Sequence, residues 1–171
     1  RRQAISLLGS GSAALALQAC AGRPLAAAPA PANAAALLDA LASDLLEFSP
    51  EAATSLGLDT GARLHLRSKL ADRSAAGQNA IATLLQRGLK QVAAIDPATL
   101  DPATQTSLAV VKSAFGVALD GFALPYGDVA VGGWRNTPYV VIQNVGGYLD
   151  TPRFLDGDHP VRDAADAEAY L

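Results

Sequence analysis

Ser74-Ala75-Ala76-Gly77-Gln78-Asn79-Ala80-Ile81-Ala82-Thr83-Leu84-Leu85-Gln86-Arg87-Gly88-Leu89-Lys90-Gln91-Val92-Ala93-Ala94-Ile95 decides the fold of this chain. Ile81, Leu84, Leu85, Leu89, Val92 and Ile95 recur every three or four residues, the period of one helix face. Gly77 and Gly88 each weaken such a helix by about 1 kcal/mol relative to Ala. Asp96-Pro97 stops it, because proline disfavours helical backbone in the residue before it. Asp101-Pro102 restarts the chain as cap and first helical position. It predicts a helix through about Phe122 with Leu108, Val111, Phe115, Leu119 and Phe122 inward. Two long amphipathic helices joined across so short a break pack as an antiparallel hairpin that buries both stripes.

Working outward, Asn33 reads as an N-cap, and Leu37, Leu38, Leu41, Leu45 and Phe48 fall on one helix face. Ser49-Pro50-Glu51 is a second start, with Ser as cap, Pro at the first position and an acid in the first turn. Gly57 suits the residue just past the end of that short helix. Leu58 to Ala71 is less periodic and reads as a loop or frayed helix. Downstream, Leu124 to Pro160 holds Gly127, Gly132, Gly133, Gly146, Gly147, Gly157, Pro125, Pro138, Pro152 and Pro160. So long a stretch without a clear helix is usually functional or misassigned. Tyr139-Val140-Val141-Ile142 leaves room for one short strand, and Asp163 opens a helix that has barely begun at Leu171. The fold class expected is mainly α: an antiparallel helical hairpin or bundle with a long Gly/Pro-rich loop region.

Composition agrees. Half of the 171 residues are hydrophobic, but alanine dominates that half and aromatics are 5%. Alanine favours helix and buries little area, which points to close helix packing rather than a β-sandwich. Basic residues are scattered apart from Arg63, Arg67 and Lys69, so no stripe tracks phosphates and nucleic acid is not an expected partner. With a single cysteine, no internal disulfide is possible.

That cysteine closes a distinctive N-terminus. Arg1-Arg2 precede an apolar run, Ile5 to Leu17, diluted by Ser6 and Gly9-Ser10-Gly11-Ser12, and Leu17-Gln18-Ala19-Cys20 follows. The run is shorter than the ~18 to 20 residues a transmembrane helix needs, and its dilution suits a signal segment. The pattern looks like a twin-arginine export signal followed by a lipobox, in which Cys20 is acylated. A lone cysteine is more often a small buried hydrophobe, but its place before a Pro/Ala tract favours acylation, and only Gln18 is unusual. With Arg1 and Arg2 set aside, 11 basic residues face 16 acidic ones, a net of about −5. The expected organisation is an export signal over 1–20, a Pro/Ala-rich tether over 21–33 and the N-terminal part of an incomplete helical domain over 34–171. The expected location is periplasmic or cell-envelope, with the membrane as partner through the lipid at Cys20. The chain has no initiator Met and ends on an unfinished helix, so it reads as a fragment.

Chemistry is sparse. His65 and His159 are the only histidines, with no His-x-x-x-His or Cys-x-x-Cys near either. Asp156-Gly157-Asp158-His159 superficially opens like a calcium loop, but Pro160 and Val161 stand where an EF-hand needs a ligand and a glycine. Acids capping a turn before the helix at Asp163 explain it better. Arg63, His65 and Arg67 alternate with Leu64 and Leu66, which a half-exposed strand or solvated loop accounts for. No Gly-x-Ser-x-Gly elbow or phosphate-cradling loop occurs.

The unusual segment is Gly132-Gly133-Trp134-Arg135-Asn136-Thr137-Pro138-Tyr139, followed by Gln143-Asn144. Trp134, Arg135, Asn136 and Tyr139 are candidate substrate-binding residues, since aromatics offer area with a polar handle and Arg suits carboxylates. The alternative is that Trp134 and Tyr139 merely plug the loop onto the hairpin.

Trp134 to Val141, Gly147 to Asp156, His159-Pro160 and Ala164 to Leu171 resemble the N-terminal half of the bacterial domain-of-unknown-function 885 family. Ser49-Pro50-Glu51-Ala52-Ala53-Thr54-Ser55-Leu56-Gly57-Leu58 is similar to that family's first helices. Together the resemblance covers roughly Leu37 to Leu171. It implies an exported, zinc-dependent peptidase-like hydrolase of α-helical, gluzincin kind, whose His/Glu zinc motif lies in the C-terminal half. No position here matches that motif, so no catalytic or metal residue carries over, and no cofactor is expected in this fragment. The resemblance makes zinc and a peptide substrate expectations for the parent protein alone; the fragment itself is expected to be inactive. The other functional class is a non-catalytic helical envelope lipoprotein that binds a partner or scaffolds.

Overall fold

The computed structural model describes residues 32–124, 129, 131, 139, 141–144 and 146–170. Among them are six α-helices: α1 Ala32–Glu47, α2 Pro50–Ser55, α3 Ala75–Ala93, α4 Pro102–Phe122, α5 Gly147–Gly157 and α6 Ala164–Tyr170. Two 3-10 helices, Gly61–Ser68 and Pro97–Thr99, join them, and no strand occurs among the described residues. The mainly α fold follows from the two stripes read in the sequence.

Each end of the hairpin is fixed by its own side chains. The Ser74 hydroxyl accepts from the Gly77 N–H at 3.2 Å and opens α3. Asp101 accepts from the N–H groups of Ala103 and Thr104 and from the Thr104 hydroxyl, with Pro102 at the first position of α4. These bonds satisfy donors that every helix start leaves orphaned. Between the helices, Asp96 caps the turn Pro97–Thr99 in the same way.

The core lies where α1, α3 and α4 meet. Leu41 of α1, Leu85 and Val92 of α3, and Leu108, Phe115 and Ala118 of α4 are buried together with Leu100. Ile81, Leu89, Ile95, Val111, Leu119 and Phe122 pack partly buried around them, as the periodicity requires. Arg87 of α3 donates to Asp44 of α1 at 2.6 Å across the exposed seam.

Several expectations change. Asn33 is not a cap: α1 already includes Ala32, so helix occupies the last two positions assigned to the tether. Ser49 precedes α2 without a side-chain cap bond, while Pro50 does occupy its first position. Gly57, at φ 67°, ends α2, with its N–H on the Thr54 carbonyl and the Leu58 N–H on that of Ala53. That pair of bonds is a Schellman motif. Residues Gly61–Ser68, read as loop, frayed helix or strand, form a 3-10 helix whose Leu66 is fully buried.

The largest departure is α5, inside the stretch read as lacking a helix. Pro152 argues against a helix because it has no N–H to give the preceding turn. Buried Phe154, with Leu149 and Leu155 half-buried, compensates by anchoring α5. Of Tyr139–Ile142, Val140 lies outside the described residues, Tyr139 and Val141 are exposed, and Ile142 forms an isolated bridge.

Candidate functional site

The elements beyond the three-helix core build a second layer. Ser55 of α2 donates a hydrogen bond to Asp158 just past α5. Arg67 donates to Asp59 at 3.0 Å, and α6 packs on the same 3-10 helix. The His159 ring is buried, donates from Nε2 to the Asp166 carbonyl at 3.1 Å, and meets Phe154 edge-on at 6.2 Å. Asp163 accepts from the Asp166 N–H and Asp166 accepts from the Arg162 N–H, so these acids cap α6. Asp156 is exposed and the Asp158 carboxylate accepts from Ser55 of α2, so the acids that cap before α6 are Asp163 and Asp166 and not those of 156–159.

Asp59 is 4% exposed and is the most deeply placed carboxylate of this layer. Burial alone would raise its pKa, but the hydrogen bond and charge of Arg67, with the nearby Thr54 hydroxyl, outweigh it and hold the carboxyl below its usual range. The buried Thr54 oxygen itself has no partner of good hydrogen-bond geometry among the described residues. Its influence on Asp59 is therefore that of a nearby dipole. The hydrogen bond to Asp59 in turn pushes the Arg67 guanidinium further up. The other basic groups of the 3-10 helix are also placed: Arg63 donates to the Ser43 hydroxyl at 2.7 Å, and His65 meets Glu47 at 2.8 Å and the Ala62 carbonyl at 3.1 Å.

Between this layer and the core lies a cleft of about 420 Å3. Phe48 and Glu51 come from the α1–α2 junction, Asp72 and Arg73 from the segment before α3, Ile81 from α3, and Asp150 and Phe154 from α5. Gly77 makes the segment before α3 possible: a Cβ there would lie 2.0 Å from the Asp72 carbonyl oxygen. The Ser74 hydroxyl and N–H hold the Asp72 carboxyl low, so it remains charged at the cleft mouth. Glu51 accepts from the Ala71 N–H at 3.1 Å, which ties α2 to the same segment. Arg73 reaches Glu51 only at 3.9 Å, with its own side chain half exposed. A second groove, about 580 Å3 between α3 and the end of α4, has no ionisable residue among the described residues of its lining.

Of the residues expected to bind substrate, Trp134, Arg135 and Asn136 lie outside the described residues, as do Arg1, Arg2 and Cys20. Tyr139 is 65% exposed and is not part of the cleft wall. The end of that segment is nonetheless fastened beside the cleft. The Tyr148 hydroxyl of α5 is shared between the carbonyls of Ile142 at 2.9 Å and Gln143 at 2.7 Å. Arg73, Asp72, Glu51 and Asp150 went unread in the sequence, because residues about 100 positions apart form the site.

Two of the stretches that carried the family resemblance, Ser49 to Leu58 and Gly147 to Asp156, face each other across this cleft and are joined beside it by Ser55 and Asp158. Residues 50–171 match the family model described as "Bacterial protein of unknown function (DUF885)". The chain belongs to this family. The match begins at Pro50, so α1 precedes the matched region and the DUF885 part starts with α2. No curated protein and no solved structure matches the chain.

Proposed function

We propose that this chain is the N-terminal, substrate-side portion of an exported zinc-dependent peptidase-like hydrolase, anchored to the membrane through acylated Cys20. The observation that carries the reading is the convergence of two of the DUF885 stretches on one charged cleft lined by Phe48 and Phe154. Concave sites with an apolar floor and a few converging polar groups are the usual form of ligand sites.

Zinc does not fit the described residues. Among the described residues no group of three His, Cys, Asp or Glu side chains is placed to hold a metal ion. Zinc sites need three or four such ligands. His65 and His159 are held by Glu47 and by the Asp166 carbonyl. No chemical step is therefore assigned to this portion; its part in the proposal is to bind and orient peptide. No described helix is long and apolar enough to cross a membrane, and in the proposal the lipid at Cys20 supplies the attachment.

The test is metal analysis of the full-length protein together with cleavage of a mixed peptide library, with and without a chelator. The expected outcome is about one zinc per chain and cleavage that the chelator abolishes. A metal-free protein that cleaves no peptide would overturn the reading in favour of a non-catalytic envelope lipoprotein.

A further inference from the structure

The geometry points to the cleft between α2, α3 and α5 as a binding site for a short peptide in its zwitterionic form. This deepens the hydrolase reading and rests on it for the choice of peptide over other zwitterions. The volume, about 420 Å3, lies at the lower end of the roughly 300–1,000 Å3 typical of small-ligand sites. That suits a ligand of a few residues and not a long extended chain.

The wall chemistry selects both ends of such a ligand. Among the described residues Arg73 is the one cation lining the cleft, and its sole ionic neighbour there, Glu51, is 3.9 Å away. At that distance the guanidinium donors are not committed to Glu51, whose Oε1 already accepts from the Ala71 N–H. A planar fork with free donors suits a carboxylate. Asp150 also lines the cleft and makes no ion pair or hydrogen bond through its side chain among the described residues. With Asp72, which Ser74 keeps ionised, it offers acceptors for an ammonium group. Phe48 and Phe154 supply the apolar surface that a ligand side chain covers.

Other ligand classes fit less well. Among the described lining residues, the carboxylates of Glu51, Asp72 and Asp150 against the Arg73 guanidinium repel phosphates and polyanions. An apolar ligand would leave Arg73, Asp72 and Asp150 desolvated without partners. A molecule carrying one carboxylate and at least one ammonium group around an apolar body satisfies all of them.

The experiment is calorimetric titration of the full-length protein, kept in chelator, with alanyl-phenylalanine, its C-terminal amide and its N-acetyl form. The expected result is binding of the free dipeptide, with about tenfold weaker binding of each blocked form. Arg73→Gln should weaken the free dipeptide about tenfold and leave the amide unchanged, whereas Asp150→Asn should weaken the free dipeptide and leave the N-acetyl form unchanged. Both side chains line an open cleft, and circular dichroism checks that the variants remain folded. Absence of binding at millimolar dipeptide, or equal weakening of free and blocked forms by Arg73→Gln, overturns the inference. Binding is measured without metal or turnover. Dipeptide binding in a protein that cleaves nothing leaves this site standing and removes the hydrolase; cleavage indifferent to Arg73 does the reverse.

Discussion

Gly88 and Phe115 touch where α3 crosses α4. A Cβ on Gly88 would lie 2.8 Å from Phe115 Cε2 and 3.0 Å from Leu41 Cδ2, so this glycine sets how closely the three core helices approach. Phe115 is 3% exposed and has nowhere to retreat.

The consequence is a reversal of what helix propensity predicts. Gly88→Ala gains about 1 kcal/mol of propensity, but overpacking a filled core costs about 1–3 kcal/mol. We expect net destabilisation of about 1 kcal/mol. Gly116, inside α4, meets nothing within 4 Å of an added Cβ. Gly116→Ala should therefore stabilise by about 0.5–1 kcal/mol. Urea denaturation of the two variants checks both signs, and a stabilised Gly88→Ala would mean the helices separate more easily than this packing allows.

The contrast shows what the sequence can carry. The hairpin was legible because its signals are local: a 3.6-residue stripe in α3 and α4, and Asp-Pro at each restart. Helix α5 was hidden because Pro152 is a local breaker, whereas the burial of its anchor, Phe154, exists only in the folded chain. The same limit hid the cleft. Glu51 looks like a first-turn acid and Asp150 like one more acid of a Gly/Pro-rich loop until folding sets them on facing walls. Trp134, Arg135 and Asn136 stood out by composition alone, and composition has no geometry.

Acid should unfold the protein through a small set of carboxylates. Asp59, Asp72 and Asp101 are all held below the ordinary carboxylate range. Each contributes stability that is complete above the unfolded value of about 3.9 and is lost as pH falls through the lower folded value. Melting temperature should thus be flat from neutrality to about pH 5 and fall below about pH 4. Asp59→Asn should flatten that fall, since it removes a buried group of the set. Asp59→Ala should cost about 2–3 kcal/mol at neutral pH by leaving Arg67 without its carboxylate.

In the proposed reading, export rests on Arg1-Arg2 and membrane attachment on Cys20, and each has its own readout. Replacing Arg1-Arg2 by a lysine pair in the full-length protein should abolish export, because a twin-arginine signal is read by a receptor. Cys20→Ser should leave export intact and move the protein from the membrane to the soluble fraction. Fractionation followed by immunoblotting measures both, and unchanged membrane association of Cys20→Ser would remove the lipobox from the account.

The end of the Trp134–Asn144 segment is fastened beside the cleft. Tyr148 holds the carbonyls of Ile142 and Gln143 at the start of α5, and its side chain is largely exposed. Removing an exposed hydroxyl costs stability little, about 1 kcal/mol or less, so Tyr148→Phe should barely move the melting temperature. What it should change is the order of the segment: amide hydrogen exchange should accelerate over 139–146 and not in α3 or α4. If the proposed hydrolase meets its substrate through Arg135, Arg135→Ala in the full-length protein raises KM or lowers kcat/KM without unfolding it. Tyr148→Phe should then reproduce part of that loss, and the double variant should lose less than the two separate effects combined, because both act on one contact. Fully additive losses would place Arg135 and Tyr148 in separate roles. An Arg135→Ala protein that unfolds with no separate kinetic effect would make Arg135 a structural clamp.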